Sequence, residues 1–518
     1  MLIRPDSQWP PPGAAKMRKR WSSWRAWWSG DFHDLRKHVP ATAPNGYWAK
    51  RERHPEDRQV HLPLAADIAR TSAELVFGDT QALDFGPQQE AWEELAQNIG
   101  WTNSLLEAGE VDAALGGVFL RPAWDKDVAD HPLLTSVPVD EALPEFRFGM
   151  LWQVTFVTDL GERDGFWWRW LEHHERGQIR HELWKGTATN IGRAVPLADQ
   201  PETAPYGQAE GGGIIDTTPI RPDGGLLVDY IPNDLPQPLD HLPYGRSDLQ
   251  GIESALDMLD TTWDSWMRDL DLGKGRVIVS SEMLDGVAPS ARPAGHVQTA
   301  TDRFFGRHRR GRPTKVFDED AKVFTPLPGM PADDAGKLAP ITHVQFQLRV
   351  QEHADTAMAL IEQITSRAGY APQTFGVDIE GQISGTSRRL RERRTYTTRN
   401  RKRRYARPAL ERAAETLMLI AAADFNGARP AGRPKLDWRD TDQSDPKETA
   451  ETINTLRMAE AVSTEIAVRM AHPDWDDPQV KDEVKRIQAE HRAAPAPGGF
   501  ETPDQLDEPD HPEDEPQG

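Results

Sequence analysis

Cysteine is absent from all 518 residues. That excludes a disulfide framework, a thiolate zinc site and a cysteine nucleophile, and it fits a reducing compartment. Long apolar runs are missing too. None approaches the roughly 18–20 residues that a membrane-spanning helix needs, and the opening MLIRPDSQWPPPG lacks the apolar stretch of a signal peptide. The expectation is a soluble protein, made in the cytoplasm, with no membrane partner. Hydrophobic residues amount to only 37%, below the usual roughly 45–50%. With 28% charged residues, 42 prolines and 40 glycines, long polar surfaces and connectors are expected. Tyrosine is scarce, seven residues against eighteen tryptophans, a bias that suits large buried contacts or interfaces.

Motifs of catalysis are scarce as well. GKGR at Gly273 lacks the spacing of a phosphate-binding loop and ends a helical pattern instead of opening one. No Gly-x-Ser-x-Gly elbow is present. His173 and His174, with His181 on the next strand, are a candidate metal group. Adjacent strand residues point to opposite faces, however, and no carboxylate spacing supports them, so they read as exposed hairpin histidines. Asp257, Asp260 and Asp264 share one face of a helical segment. They read as a solvated acidic face, with a metal site as the sharper alternative. No catalytic residue, cofactor or metal is expected.

What is present is charge, unevenly distributed. Residues 387–407, SRRLRERRTYTTRNRKRRYAR, hold eleven Arg or Lys and one acid, Glu392. This +10 segment sits in a chain of net charge −21, which leaves −31 on the remainder. It runs straight into an apolar helical stretch, 409–423, so it reads as half of one long helix and not as a disordered tail. Arg388, Arg391 and Arg394 recur at spacings of three and repel one another along it, and Glu392 alone cannot neutralise them. Three readings are open: contact with DNA phosphates, a solvated face, or ion pairs with neighbouring subunits in a ring. The last best accounts for so much unmatched charge, with Asp378, Glu380 or the aspartate face as partners. An acidic chain argues against coating DNA with its whole surface.

Along the chain, residues 1–60 are polar and rich in Pro and Trp. Trp21, Trp24 and Trp28 fall on one face of a short helix, to pack on the same chain or to dock on a neighbour. Helical patterns follow within 61–125. Period two takes over at 146–186, in three antiparallel strands separated by GERDG and ERGQ. Residues 187–245 are loop-rich. An amphipathic helix then runs from Ser247, its N-cap, to Gly273, carrying Leu249, Ile252, Leu256, Leu259, Trp263, Trp266 and Leu270. Short strands at 276–280 and 321–324 flank a basic loop, Arg307, Arg309, Arg310, Arg312 and Lys315, which reads as a phosphate contact, a docking patch for an acidic partner, or only solvated charge. Helical periodicity resumes over 341–369 and stops at the Gly-rich loop 370–385. The basic helix runs from Thr386 or Ser387 to about Phe425. Two helical segments lie within 445–492, and the remainder is acidic and Pro-rich, disordered by composition.

This order resembles the portal proteins of tailed double-stranded DNA bacteriophages, especially those of actinobacteriophages. YGRSDLQGIESALDMLDTTWDSWMRDL looks like that family's approach to its first stem helix, GQISGTSRRLRERR like the start of its tunnel helix, and GFWWRWLEHHERGQIRHELWKG like its wing meander. The resemblance covers roughly residues 60–490. It implies an α+β, portal-type fold with long stem and tunnel helices, a β-containing wing and a small α/β clip, assembling as a ring. The implied parts are an N-terminal arm (1–60), the first part of the wing (61–246), a stem helix (247–273), the clip (274–340) and a second stem helix (341–369). After them come the tunnel loop (370–385), the wing's tunnel helix (386–444), the crown (445–492) and a disordered acidic tail (493–518).

Implied roles follow the same map. Phe375, Gly376, Asp378, Glu380 and Gln382 would approach DNA from the tunnel loop. Arg388, Arg391, Arg394, Arg401 and Arg404 would lie at a subunit interface or near DNA. Arg307, Arg309, Arg310, Arg312 and Lys315 would dock partners on the clip. The implied assembly is a homo-oligomer, a dodecamer in the virion, at one capsid vertex. Its implied partners are double-stranded DNA, the terminase large subunit, the head–tail adaptor, and the major capsid and scaffold proteins. The competing readings are a metal-dependent, nuclease-like packaging enzyme using the aspartate face, and a helical scaffold for acidic partners.

Overall fold

The computed structural model describes residues 3–49, 59–79, 81–208, 212–239, 243–273, 276–280, 324–327, 342–344, 348–376, 385–438, 446–472, 475 and 477–493. Its contacts divide the chain into two units, Met1–Arg439 and Asp440–Gly518. The first unit opens with α1 (Ala15–Ser29), α2 (Phe32–His38), α3 (Leu64–Phe77), β1 (Gln81–Asp84), α4 (Gln89–Asn98) and α5 (Trp101–Leu115). Strands follow: β2 (Gly117–Ala123), β3 (Leu133–Pro138), β4 (Ala142–Arg147), β5 (Met150–Arg163), β6 (Phe166–Glu175), β7 (Gln178–Gly186) and β8 (Arg193–Val195). Then come α6 (Ala204–Gln208), β9 (Ile214–Asp216), β10 (Asp229–Pro232), α7 (Glu253–Leu272), β11 (Arg276–Ser280), β12 (Phe324–Leu327) and β13 (Thr342–Val344). α8 (Val350–Ala368), α9 (Gly385–Asp424) and β14 (Lys435–Trp438) complete it. The architecture is α+β.

The tryptophan-rich opening is core, not periphery. Trp21, Trp24 and Trp27 are all but inaccessible, and they join Ile68 of α3, Leu105 of α5, Leu256 of α7 and Leu417 of α9 in one hydrophobic cluster. The buried face of α1 therefore passes through Trp27, while Trp28 lies at its edge. Trp24 also donates its indole N–H to Glu253 Oε1 at 2.9 Å. Arg25 makes a bidentate pair with Asp140, at 2.9 and 2.7 Å. Trp24 thus uses its one donor, while Trp21 and Trp27 contribute ring area with no partner at Nε1 among the described residues.

The meander predicted over 146–186 is present and larger. Strands β4 to β8 run antiparallel in order, and β9 pairs with β7. The first predicted strand is itself a hairpin. Phe148 and Gly149 take positive φ of 52° and 79°, the conformation of a tight two-residue hairpin turn, so β4 ends and β5 begins inside FRFGML. Asp164 and Gly165 turn β5 into β6 in the same way, at φ 55° and 77°. A second sheet, β10–β2–β3, is antiparallel throughout. β1 pairs with β14 across most of the unit's sequence.

Two helix starts differ from expectation. Ser247 does not cap the long helix. Its hydroxyl donates to Ala114 O at 2.6 Å and accepts from Leu249 N at 3.0 Å. Residues 248–252 form turns, with Gly251 at φ 89°, and α7 begins at Glu253. The helix expected from 341 begins at Val350, because 342–344 pair antiparallel with β11. Thr342 and Val344 are β-branched and favour the strand. β12 likewise lies at Phe324–Leu327, later than the predicted 321–324, and runs parallel to β11. Downstream, α7 packs on α8. Trp266 stacks on His353 at 6.1 Å, and Asp269 Oδ2 accepts from His353 Nε2 at 2.9 Å and from Arg349 Nη2 at 2.7 Å.

The second unit holds α10 (Pro446–Met458), α11 (Thr464–Ala471) and α12 (Asp477–Ala493). α11 was not anticipated. Ser463 caps it, its hydroxyl accepting from Ile466 N at 3.3 Å. The predicted acidic tail, 493–518, lies outside the described residues apart from Ala493, which ends α12.

Trp24→Ala should cost about 3–5 kcal/mol, as for other buried aromatic truncations. Denaturant unfolding of the full chain measures it. A loss under about 1 kcal/mol would mean that the N-terminal helix is not part of the cooperative core.

Candidate functional site: the basic helix and its anchors

α9 spans 40 residues, about 60 Å at 1.5 Å per residue. Its buried positions form one stripe at helical spacing: Leu417, Ala413, Leu410 and Ala406, and then Arg403, Lys402, Arg399 and Thr395. The apolar half and the basic half thus share a face. Pro408 lies inside the helix. It removes one intrahelical donor, but at an exposed position.

Each cation on the inner face has a defined partner. Lys402 Nζ reaches Asp248 Oδ2 at 2.6 Å, Ser72 Oγ at 2.6 Å and Tyr370 OH at 2.9 Å. All three ammonium protons are used. Tyr370 OH also donates to Asp248 Oδ2 at 2.8 Å, and Asn233 Nδ2 donates to Asp248 Oδ1 at 2.9 Å. Burial, reinforced by the Asp248 charge, holds the Tyr370 phenol well above its ordinary value, so it remains a donor. Burial likewise raises Asp112 nearby, against the pull of Lys402.

Arg403 closes the end of α3. Its guanidinium donates to Val76 O at 3.2 Å, to Leu75 O at 3.2 Å and to Asp79 Oδ2 at 2.5 Å, and it lies 4.8 Å from the Trp438 ring centre. Unpaired carbonyls at a helix C-terminus favour such a cation. Arg401 Nε is 3.0 Å from Asp234 Oδ1, although its N–H is not aligned for a hydrogen bond. Arg412 donates to Asp229 Oδ1 at 2.5 Å. Two threonines fasten the approach from α8. Thr395 Oγ1 accepts from Ala371 N at 2.8 Å, and Thr398 Oγ1 donates to Gly369 O at 2.7 Å. Gly369 takes φ 102°, and a Cβ there would meet Thr398 Oγ1 at 3.0 Å, so the turn requires glycine.

The predicted site residues are thereby sorted. Arg401 pairs within its own chain, as do Lys402 and Arg403, which were not singled out. Arg394 and Arg404 are exposed. The backbone of Arg388 and Arg391 is in α9, but their side chains lie outside the described residues. Phe375 packs against the main core, and Gly376 ends a short 3₁₀ turn. Asp378, Glu380, Gln382, Arg307, Arg309, Arg310, Arg312 and Lys315 lie outside the described residues. The acid partners Asp79, Asp234 and Asp248 carried no sequence signal, because they are scattered single residues in turns.

Two candidate metal groups have other work. Asp257 and Asp260 are buried, 5% and 1% exposed, and are not a solvated face. Asp257 accepts from Tyr47 N at 2.7 Å, and Asp260 from Trp48 Nε1 and Leu62 N, both at 2.9 Å. They bind the N-terminal segment to α7. His173, His174 and His181 are buried as well, not exposed in a hairpin. Thr155 Oγ1 lies 2.8 Å from His173 Nδ1, and Trp170 Nε1 donates to His181 Nδ1 at 3.2 Å. No group of three His, Cys, Asp or Glu poised for a metal occurs among the described residues.

The site is thus a long helix clamped by ions to a mixed body of helices and sheets. The chain belongs to the phage portal protein family of SPP1 Gp6-like members, whose model matches residues 230–495. No curated protein matches it. Among solved structures it is similar to the neck of a native GTA particle computed with C12 symmetry, at 14% identity and TM-score 0.39, over 79% of this chain and 90% of that one. It is also similar to the neck of an empty GTA particle computed with C6 symmetry, at 13% identity and TM-score 0.39 with the same coverage. No helix among the described residues is long and apolar enough to cross a membrane.

Lys402→Met should lose about 3–5 kcal/mol, because it strands a buried carboxylate. Adding Asp248→Asn should restore part of that loss, and a double-mutant cycle in urea reads the coupling. Purely additive losses would show that the two groups do not interact. Stability should also fall as pH drops from about 6.5 towards 4. Burial lowers His173 and His181 from 6.5 to about 4, so the unfolded chain binds protons first in that window. Each contributes on the order of 1–3 kcal/mol. A urea midpoint that holds constant from pH 7 to 4.5 would contradict this.

Proposed function

We propose that this portal-family chain forms the ring-shaped channel at one capsid vertex, through which double-stranded DNA is packaged and later ejected. The ring is a homo-oligomer, a dodecamer in the virion. Its clip, 274–340, docks the terminase large subunit during packaging and the head–tail adaptor afterwards, and its other contacts are with the major capsid and scaffold proteins. The chain acts as a conduit and not as an enzyme. The carrying observation is the family match over residues 230–495, which spans both stem-type helices, the insert between them and the basic helix.

Physical chemistry supports this reading. A channel must let DNA slide, so it should hold few phosphates tightly, and a chain of net charge −21 suits that need. The tunnel loop, 370–385, carries Asp378 and Glu380, which repel phosphate. The inner cations of α9 are neutralised by Asp248 and Asp79. The exposed Arg394 and Arg404, with Arg388 and Arg391, are then the groups left to meet acids of a neighbouring subunit. The cytoplasm of the infected host is the site of synthesis, and the virion is the destination.

Negative-stain microscopy of the purified chain should show rings with a central hole, and a strictly monomeric mass at high concentration in several salts would sink the proposal. Arg394→Glu with Arg404→Glu should abolish rings while leaving the circular dichroism of the subunit unchanged. Normal rings with failed DNA packaging would instead put these arginines against DNA.

A further inference from the structure

Between the last turn of α8, the basic half of α9 and the segment 234–250 lies an open cleft of about 630 Å³. Five guanidinium groups line it, from Arg246, Arg367, Arg393, Arg394 and Arg401, together with the two carboxylates Asp234 and Asp248. Both carboxylates are already engaged. Asp234 bridges Arg246 and Arg401. Asp248 takes Lys402, Tyr370 and Asn233. Arg367, Arg393 and Arg394 are exposed and make no ion pair among the described residues. Two threonine hydroxyls on the same wall are spent on backbone carbonyls, Thr397 on Arg393 O at 2.8 Å and Thr398 on Gly369 O at 2.7 Å. The charged donors left in the cleft are therefore guanidinium N–H groups, beside the side-chain amide of Gln250.

Several unmatched guanidinium groups on one cleft repel one another, and an anion relieves the repulsion. Their forked donors fit planar or tetrahedral oxyanions in bidentate fashion. A single carboxylate offers two oxygens and one charge, too few for three unpaired arginines. Inorganic phosphate offers four oxygens and up to two charges, and a nucleic-acid strand offers one charge on each of several successive phosphodiesters. We propose that this cleft is a phosphate-binding site, held by Arg367 and Arg393, with Arg246, Arg394 and Arg401 adding to the positive potential. The ligand is free inorganic phosphate or the phosphodiester of a nucleic-acid strand. The site is complete within one chain and does not depend on ring assembly.

Isothermal titration of the full chain with inorganic phosphate at low ionic strength tests it. Saturable binding is expected, weakened about tenfold or more in Arg367→Gln/Arg393→Gln, a loss of two charge-assisted partners. Both substituted positions are exposed, and circular dichroism checks that the variant is folded. Should it lose structure, Arg393→Lys, which keeps the charge and loses the fork, is expected to bind phosphate more weakly than the parent. A short DNA duplex is then added as competitor. Displacement of phosphate assigns the site to phosphodiester, and no displacement assigns it to free phosphate. Absence of saturable binding, or equal binding by parent and variant, overturns the proposal. So does displacement by a glutamate-rich peptide at lower concentration than phosphate. Ring formation is read separately by microscopy, so failure of the site and failure of the channel proposal are distinguishable.

Discussion

The buried contact between Lys402 and Asp248 holds together parts of the chain that are far apart in sequence. It joins the middle of α9 to the segment entering α7, to Ser72 of α3 and, through Tyr370, to the end of α8. Burying an ion pair costs desolvation that attraction alone seldom recovers. Here every ammonium proton has an acceptor, and the carboxylate also accepts from Asn233 and Tyr370. Such a pair adds little net stability over a well-packed apolar alternative. What it contributes is a requirement that four segments meet at one point.

Around it, the tryptophans of α1, the faces of α3 and α5 and the inner stripe of α9 share one apolar cluster. The aspartates of α7 look like surface charge in the sequence, yet they receive the backbone and indole donors of residues 47–62. In both places the chain satisfies buried polar groups with single acids distant in sequence, from a turn at Asp248 and from helix α7 at Asp257 and Asp260.

Much of the architecture was legible beforehand. Strong periodicity gave α3, α4, α5, α7 and the meander, and Gly-rich breaks placed the ends of α7, α8 and α9. Other features were not legible for definite reasons. β2 follows α5 with only Gly116 between them, and its GVFLRPA carries no alternation, because both faces are largely buried. The FRFGML hairpin hides its turn in two residues. β13 was absorbed into a helical pattern that resumes directly after it. In the basic segment, the count of arginines was plain, but which ones face inward depends on the phase of the helix. That phase is set by the apolar residues after Ala406, and the acids that neutralise the inner ones come from turns whose positions in space no local pattern reveals. Partners that depend on tertiary placement are the class of feature a sequence discloses least.

The change of character along one face of α9 has a mechanical meaning. From Leu417 to Ala406 the face is apolar, and contacts between apolar surfaces are non-directional and tolerate sliding. From Arg403 to Thr395 it is built of groups that each need one partner at one distance. A shift of a single turn, about 5.4 Å, would cost the apolar stripe less than the second half, whose members it would all unpair. The helix thus carries a bearing and a lock on the same shaft, and the Arg412–Asp229 and Arg221–Glu415 pairs add a second catch beside the bearing.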